Sequence, residues 1–316
     1  MKNNAIQKSY DRMHRKEVIF CLAVLVPFLI QFCIFWIYAN FNSIRLAFTY
    51  YKPLEDSHVL LPFSRLFENF GKFIGDIFSE SGFAYVLNGA YFHIISTFVC
   101  LPVSYMIAYI IYKKMAATGF FKVMLYLPSI LSGMVTVLVF KHFIESGVDG
   151  VFLKITGENM PYVFRDEKYD RLILSVYVIF YSIPGALLVN LGTMSRTPPE
   201  LIEYGQLEGI SMWKEFCLIV LPLMFPLVQV QCLGLFTGFF TNSGPLFTFY
   251  GNGAPENVKT FGYFMYISIA TPDTPEAAKY MYGYTSAAQL TIGLVSIPIV
   301  QLTKKLFDLF DPEAEF

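Results

Sequence analysis

The chain has 316 residues, 55% of them apolar and only 15% charged, with 23 basic against 24 acidic side chains and a net charge of −1. That balance is too apolar for a soluble domain of this size and points to the bilayer as solvent. With no stripe of Lys and Arg beside stacking aromatics, nucleic acid is excluded as a partner.

A helix needs about 20 apolar residues to cross a hydrocarbon core of about 30 Å. Runs of that kind fall at residues 18–40, 86–112, 121–143, 172–194, 218–240 and 285–307. The expected fold is therefore an all-α integral membrane protein with six transmembrane helices. The first run carries no charged side chain between Val18 and Ala39, and one charge at its centre would cost about 2.5–3.5 kcal/mol. It is too long for the apolar region of a cleaved signal and no small-residue cleavage site follows, so a retained first span is expected.

Orientation follows from the basic residues. Lys2, Lys8, Arg12, Arg15 and Lys16 precede the first span, Lys113, Lys114 and Lys122 fill the short turn after the second, and Lys304 and Lys305 sit at the end of the sixth. Both termini are expected in the cytoplasm. The segment between the third and fourth spans is acidic, with Glu145, Asp149, Glu158, Asp166, Glu167 and Asp170, and is placed outside.

Pro27, Pro102, Pro128, Pro184, Pro222 and Pro226 lie within spans. Each frees a carbonyl that lipid cannot satisfy, which calls for a neighbouring helix or a wet cavity beside it. In the stretch Phe239-Phe240-Thr241-Asn242-Ser243-Gly244-Pro245, Gly-Pro interrupts a run that is otherwise apolar to Tyr250. A broken helix is expected there, and transporters bind substrate at such breaks.

Cys21, Cys33, Cys100, Cys217 and Cys232 are scattered singly through apolar stretches, with no C-x-x-C pair and no metal-ligand spacing, and read as small apolar filler. His93 stands in the second span without an acidic neighbour, the pattern of a hydrogen-bonded packing residue rather than a proton relay. No phosphate-binding G-x-x-x-x-G-K-[ST] loop occurs, so any use of ATP must come through a partner. No span holds a central Asp or Glu of the kind an ion-coupled carrier uses, Lys141 and His142 at a helix end being the nearest charged exceptions.

Between the fourth and fifth spans, Thr197-Pro198-Pro199 starts a helix and Glu203, Gly209, Ile219, Leu221 and Pro222 follow at fixed spacing. This segment, about residues 197–222, resembles the EAA loop of binding-protein-dependent importer permeases: E-A-A, three residues, G, nine residues, I, one residue, L-P. The chain departs from that pattern at Tyr204 and Gly205, where Ala is preferred, at Glu208, where Asp is preferred, and at Ile210, where a small residue is usual. Leu127-Pro128-Ser129, Gly262-Tyr263-Phe264 and Tyr284-Thr285-Ser286-Ala287-Ala288 also look like the sugar-permease branch, so the resemblance runs from Val86 onward. The plainer alternative is an amphipathic connector lying on the membrane, with Leu201, Leu207, Ile210 and Phe216 as its apolar stripe.

The resemblance, to the maltose, multiple-sugar and polysaccharide permeases of bacterial ABC importers, implies the type I importer fold with six spans. It divides the chain into a cytoplasmic segment 1–17, a first span with outer hairpin 18–85, a permease core 86–307 and a tail 308–316. A coupling helix carrying Glu200, Glu203, Tyr204, Gly205, Glu208 and Gly209 would dock into an ATPase, with Gly209 ending it in the left-handed conformation. The implied partners are a second homologous permease, two ATPase subunits that hold ATP and Mg, an extracytoplasmic sugar-binding protein, and membrane lipid. The chain itself would hold no cofactor or metal and would not be an enzyme.

Sugars are recognised by aromatic faces and by amide or hydroxyl groups lining a wet cavity. Tyr177, Tyr181 and Ser182 in the fourth span, with Phe239, Phe240, Asn242 and Ser243 beside the break, supply that mixture and are the expected substrate path. The rival reading is a secondary carrier or channel for small polar solutes.

Overall fold

The apolar runs become helices that start at capping residues rather than at the edges of the apolar stretches. Ser79 accepts from the N–H of Gly82 at 3.1 Å and starts the second span at Glu80. Thr274 accepts from Ala277 at 3.2 Å, with Pro275 at the first helical position, and starts the sixth span ten residues before its apolar run. A computed structural model describes residues 2–114, 118–157, 167–272 and 274–310. Glu158, Asp166 and residues 311–316 of the tail lie outside the described residues.

Among the described residues, four helices are long and apolar enough to cross a membrane: Lys16–Ala47, Glu80–Tyr112, Glu167–Met194 and Pro275–Leu309. Two further pairs pass only together, Thr118–Ile130 with Gly133–Thr156 and Met212–Leu223 with Phe225–Gly238, bent by 114° and 72°. Counting each bent pair as one crossing gives six.

The sequence reading of the third and fifth spans as single helices is corrected by these bends. In the third, Ser132 caps a new helix by accepting from Val135 at 3.4 Å, and Thr136 Oγ1 donates to the Ser132 carbonyl at 3.1 Å. In the fifth, Pro222 and Pro226 flank Met224, the residue at the bend. Each proline lacks the N–H that would continue the ladder, and kinks of this size have such causes.

The chain groups into two compact units, residues 1–72 with 279–290, and residues 73–278 with 291–316. In the first unit, strands β1 (Thr49–Lys52) and β2 (Ser57–Leu60) form an antiparallel hairpin with Thr49 opposite Leu60 and Lys52 opposite Ser57. Its turn passes through Asp56 at φ 43°. Asp56 accepts from Tyr51 Oη at 2.6 Å and pairs with Lys279. These two donors, Lys279 first, hold the Asp56 carboxyl below the usual carboxylate range. Asn69 Nδ2 donates to the carbonyls of Ala47 and Thr49, both at 2.9 Å. The first span presents exposed apolar side chains, Phe20, Phe28 and Phe35 among them, a surface that only lipid or another chain can cover.

The second unit holds two buried clusters. One gathers Tyr105, Ala108, Leu187, Met194, Phe216, Val220 and Met224; the other gathers Val137, Phe140, Leu174, Tyr177, Leu246, Phe249, Val258 and Tyr263. Against lipid, apolar burial drives little helix association, so close packing and interhelical hydrogen bonds carry it. The second, fourth and fifth spans share such a chain of bonds. Asn190 Nδ2 donates to Ser104 Oγ at 3.0 Å, Gln231 Nε2 donates to Asn190 Oδ1 at 2.9 Å, and Tyr105 Oη donates to Gln231 Oε1.

Arg171 fastens the loop 251–260 to two spans, donating to the Asn257 carbonyl and to Asn88 Oδ1, both at 2.8 Å. Asn88 Nδ2 in turn donates to the carbonyls of Glu256 and Lys259 at 3.0 and 2.9 Å. Gly262 explains its place in the Gly262-Tyr263-Phe264 motif: a Cβ there would lie 2.6 Å from the Thr241 carbonyl oxygen. The helix Phe261–Ala270 therefore rests directly on the backbone of the break in the fifth span.

Candidate functional site

The fifth span stops at Gly238, and a short helix, Leu246–Tyr250, resumes after the turn. The interruption is the one that Gly244-Pro245 suggests: Gly244 sits at φ 55°, and Asn242 Oδ1 accepts its N–H at 2.7 Å. Thr260 Oγ1 donates to the Asn242 carbonyl at 3.2 Å from the other side.

Beside this break lies a cavity of about 430 Å³. Gly89, Phe92, His93 and Ser96 of the second span line it, with Gly133, Met134 and Val137 of the third and Leu174, Tyr177, Val178, Tyr181 and Ser182 of the fourth. Leu235, Gly238, Phe239, Asn242, Ser243, Gly244, Pro245, Leu246, Thr248 and Thr260 complete the wall. No Lys, Arg, Asp or Glu is among these described lining residues.

Of the residues expected on the substrate path, Tyr177, Tyr181, Ser182, Phe239, Asn242 and Ser243 meet here. Phe240 does not line the cavity; its ring packs edge-on against Phe239, centroids 4.5 Å apart. Tyr177 and Tyr181 are stacked at 5.8 Å with planes 7° apart, Tyr177 buried and Tyr181 39% exposed. Tyr177 is thus the support and Tyr181 the face that a ligand can meet. The Asn242 carbonyl and Oδ1 are both engaged, so Nδ2 is the group this side chain offers.

His93, read from sequence as packing, lies on the wall. Its ring is 5.0 Å from Phe236 and 5.3 Å from Phe239, with Nε2 3.5 Å from Thr97 Oγ1. Phe92, Ser96, Met134 and Thr260 were not foreseen. Phe92, His93 and Ser96 share one helical face, which is a legible signal, whereas Met134 and Thr260 arrive through bends that local sequence does not encode. Lys141, the nearest intramembrane cation, is outside the cavity lining; its Nζ donates to the Phe249 carbonyl at 2.5 Å.

A second assembly of sequence-singled residues is the segment after the fourth span. A helix runs Pro199–Leu207. Gly209 follows at φ 70°, its N–H donating to the Gln206 carbonyl while that of Ile210 donates to the Gly205 carbonyl, both at 3.1 Å. This paired arrangement satisfies the last carbonyls of the helix and requires a left-handed residue at Gly209.

Ile202 and Gly205 are buried, and a Cβ at Gly205 would come 2.8 Å from Ile210 Cδ1 and 2.9 Å from Ile219 Cδ1. The opposite face, with Glu200, Leu201, Glu203, Tyr204, Leu207 and Glu208, is exposed. Leu201, Tyr204 and Leu207 recur every third residue, so an apolar ridge flanked by carboxylates faces away from the bundle.

Residues 103–315 match the family described as binding-protein-dependent transport system inner membrane component. The multiple sugar-binding transport system permease protein MsmF of Streptococcus mutans is 22% identical over 197 residues, 61% of this chain and 66% of MsmF. The galactooligosaccharides transport system permease protein GanP of Bacillus subtilis is 24% identical over 194 residues, 60% of this chain and 46% of GanP. The chain thus matches less than two thirds of the length of these curated relatives. Among solved structures, a bacterial ABC transporter involved in the import of the acidic polysaccharide alginate superposes with a TM-score of 0.73 at 18% identity, over 95% of this chain and 98% of that one. An alginate transporter in complex with an alginate pentasaccharide-bound periplasmic protein gives 0.71, also at 18% identity, over 94% of this chain and 96% of that one. The fold is that of a type I ABC importer permease.

Proposed function

We propose that this chain, which belongs to the family of binding-protein-dependent transport system inner membrane components, is a pore-forming permease subunit importing an oligosaccharide or polysaccharide fragment across the bacterial cytoplasmic membrane. The observation that carries the reading is one bundle holding both an uncharged aromatic and hydroxyl-lined cavity and, on the helix that joins the fourth and fifth spans lining it, an exposed ridge suited to a docking groove.

Leu201, Tyr204 and Leu207 fill a groove of an ATPase subunit, and Glu200, Glu203 and Glu208 meet its rim. Closure of the ATPase pair pushes this helix, which moves the ends of the fourth and fifth spans and re-shapes the cavity. Hydrolysis of Mg-bound ATP belongs to the partner, so this chain is a transport subunit and not an enzyme. A second homologous permease completes the path, an extracytoplasmic binding protein delivers the sugar, and both termini lie in the cytoplasm. The apolar outer face of the first span suits lipid or that second permease.

In the cavity, Tyr181 offers a ring face to the C–H surface of a pyranose, and Ser182, Ser243, Thr248 and the Asn242 amide offer hydroxyl partners. The sugar class follows the relatives named above.

Purification of the tagged chain from its native membrane in mild detergent tests the assembly. Recovery of a second six-span permease and an ATPase with a phosphate-binding loop is expected; isolation of this chain alone would favour a secondary carrier. For the site, Asn242→Asp keeps the acceptor for Gly244 N–H and removes the amide donors. Uptake should fall with assembly unchanged, as it should in the more disruptive Asn242→Leu; wild-type uptake in both would remove Asn242 from the path.

A further inference from the structure

Just past the coupling helix, a carboxylate is buried where water would ordinarily be expected to reach it. Glu215, in the short helix Met212–Glu215, is 2% exposed. Its Oε1 accepts from Lys113 Nζ and from Tyr109 Oη, both at 2.8 Å, and its Oε2 lies 3.1 Å from Lys113 Nζ. The Tyr109 and Phe216 rings pack tilted at 41° with centroids 4.9 Å apart beside the pair. Lys113 ends the second span, so the contact fixes the second span to the root of the fifth immediately beyond Gly209.

A pair of this kind, with Glu215 buried and Lys113 partly exposed, adds little net stability, because desolvation offsets the attraction, but it sets geometry, since the buried carboxylate does not tolerate losing its partner. What it joins gives that geometry a use. The second span lines the cavity with Phe92, His93 and Ser96, and between these and Lys113 lies a π-helical turn, Ser96–Cys100. The fifth span lines it with Leu235 and Phe239, and between these and Glu215 lie a second π-helical turn, Phe216–Val220, and the bend at Met224. Wide turns of this type interrupt the regular ladder and collect at functional sites. Both helices therefore run from the pair, through a deformable joint, to the cavity wall.

We propose that Lys113 and Glu215 are a positioning pair that makes the second span follow the coupling helix, so that one push from an ATPase re-shapes two cavity walls together. The inference rests on the coupling reading above. Glu215 has no place in the EAA spacing, and the pair adds a transverse link to the covalent connection between the fourth and fifth spans.

The test uses the complex purified through a tag on this chain, with Ser96→Cys as the only cysteine of the chain and a charged methanethiosulfonate as probe. Labelling is timed without nucleotide and with ATP plus vanadate, alongside ATP hydrolysis. The unaltered pair should show a labelling rate that changes about tenfold with nucleotide. In Glu215→Gln and Lys113→Met that response should vanish while hydrolysis continues, and the swap Lys113→Glu with Glu215→Lys should restore it.

The neutral double variant, Lys113→Met with Glu215→Gln, leaves no lone charge and guards against misfolding. It should assemble normally and still fail to respond, which a merely structural pair would not do. A full response in the double variant overturns the proposal. An unaltered complex that binds an ATPase yet shows no nucleotide response, or holds no ATPase, overturns the coupling reading and the pair's role with it.

Discussion

Replacing Asn190 by Leu tests whether neutral hydrogen bonds hold the second, fourth and fifth spans together. Asn190 is fully buried, donates to Ser104 Oγ and accepts from Gln231 Nε2. Leu has the same branched shape and number of heavy atoms with bulkier methyl groups, so no cavity opens, and any overpacking adds to the polar loss. Each interhelical bond in a membrane protein is worth about 0.6 kcal/mol, so two contribute roughly 1.2 kcal/mol. Ser104 keeps its own bond to the Leu101 carbonyl at 2.7 Å and is not stranded. Gln231 Nε2 loses its acceptor, and an unsatisfied buried donor costs about 1–3 kcal/mol. The expected loss is about 2–4 kcal/mol, read as a shifted midpoint when the detergent-solubilised chain is unfolded by titration with a denaturing detergent. A midpoint within about 0.5 kcal/mol of wild type would refute the reasoning and show that packing alone carries the contact. Ser104→Ala combined with Asn190→Leu should fall short of the sum of the two single losses, because both remove the same bond.

Gly205→Ala should be tolerated, since the atoms it meets are the flexible tips of Ile210 and Ile219, whereas Gly205→Leu should lift the coupling helix and cost most of the ATPase recovered with the chain. Tyr181→Ala should raise the sugar concentration for half-maximal uptake about tenfold while leaving assembly intact, because only its exposed face is lost; an unchanged value would move the binding surface elsewhere. Asp56 has a folded pKa below its unfolded value, through Lys279 and then Tyr51. Its contribution is present above the unfolded carboxylate pKa of about 3.9 and is lost as pH falls through the folded value. Asp56→Asn should therefore flatten the acid limb of stability below about pH 4, and an unaltered acid limb would show the contact to be incidental.

The six crossings were legible because bilayer thickness sets a length that apolar runs must meet, and the helix Pro199–Leu207 was legible because Pro198, Pro199 and Gly209 bound it closely in sequence. The break after Gly238 was legible for the same reason: Asn242, Gly244 and Pro245 settle their turn locally. The bends were not. Pro128 and Pro222 signal a weakness, but a proline alone does not say whether a helix curves gently or turns by 114°, and the Ser132 cap that restarts the third span sits in an apolar run where nothing else marks a helix start. Glu215 was invisible as a functional candidate because its partners Tyr109 and Lys113 lie about a hundred residues earlier, and nothing in a cytoplasmic-looking Trp-Lys-Glu run announces a buried carboxylate. Phe240 falls outside the cavity because its ring packs edge-on against Phe239, a side-chain contact that the sequence does not reveal.

The depth at which each polar group sits follows from what the bilayer permits. Charge moved into low dielectric is costly unless tightly paired, whereas a neutral amide or hydroxyl needs only one or two partners. The bundle keeps to that rule. Its buried carboxylates lie at opposite ends: Glu215 against Lys113, and Asp170 accepting from Tyr250 Oη at 2.7 Å. Between the ends stand, among the described residues, the neutral chain of Ser104, Asn190, Gln231 and Tyr105, a cavity wall without a charged side chain, and Lys141, which donates to the Phe249 carbonyl. Neutral bonds can be exchanged for bonds to a sugar hydroxyl or to water at little cost, which suits the part that must open and close. A tightly paired carboxylate holds one geometry, which suits ends where, on the proposed coupling, a push must arrive without slack.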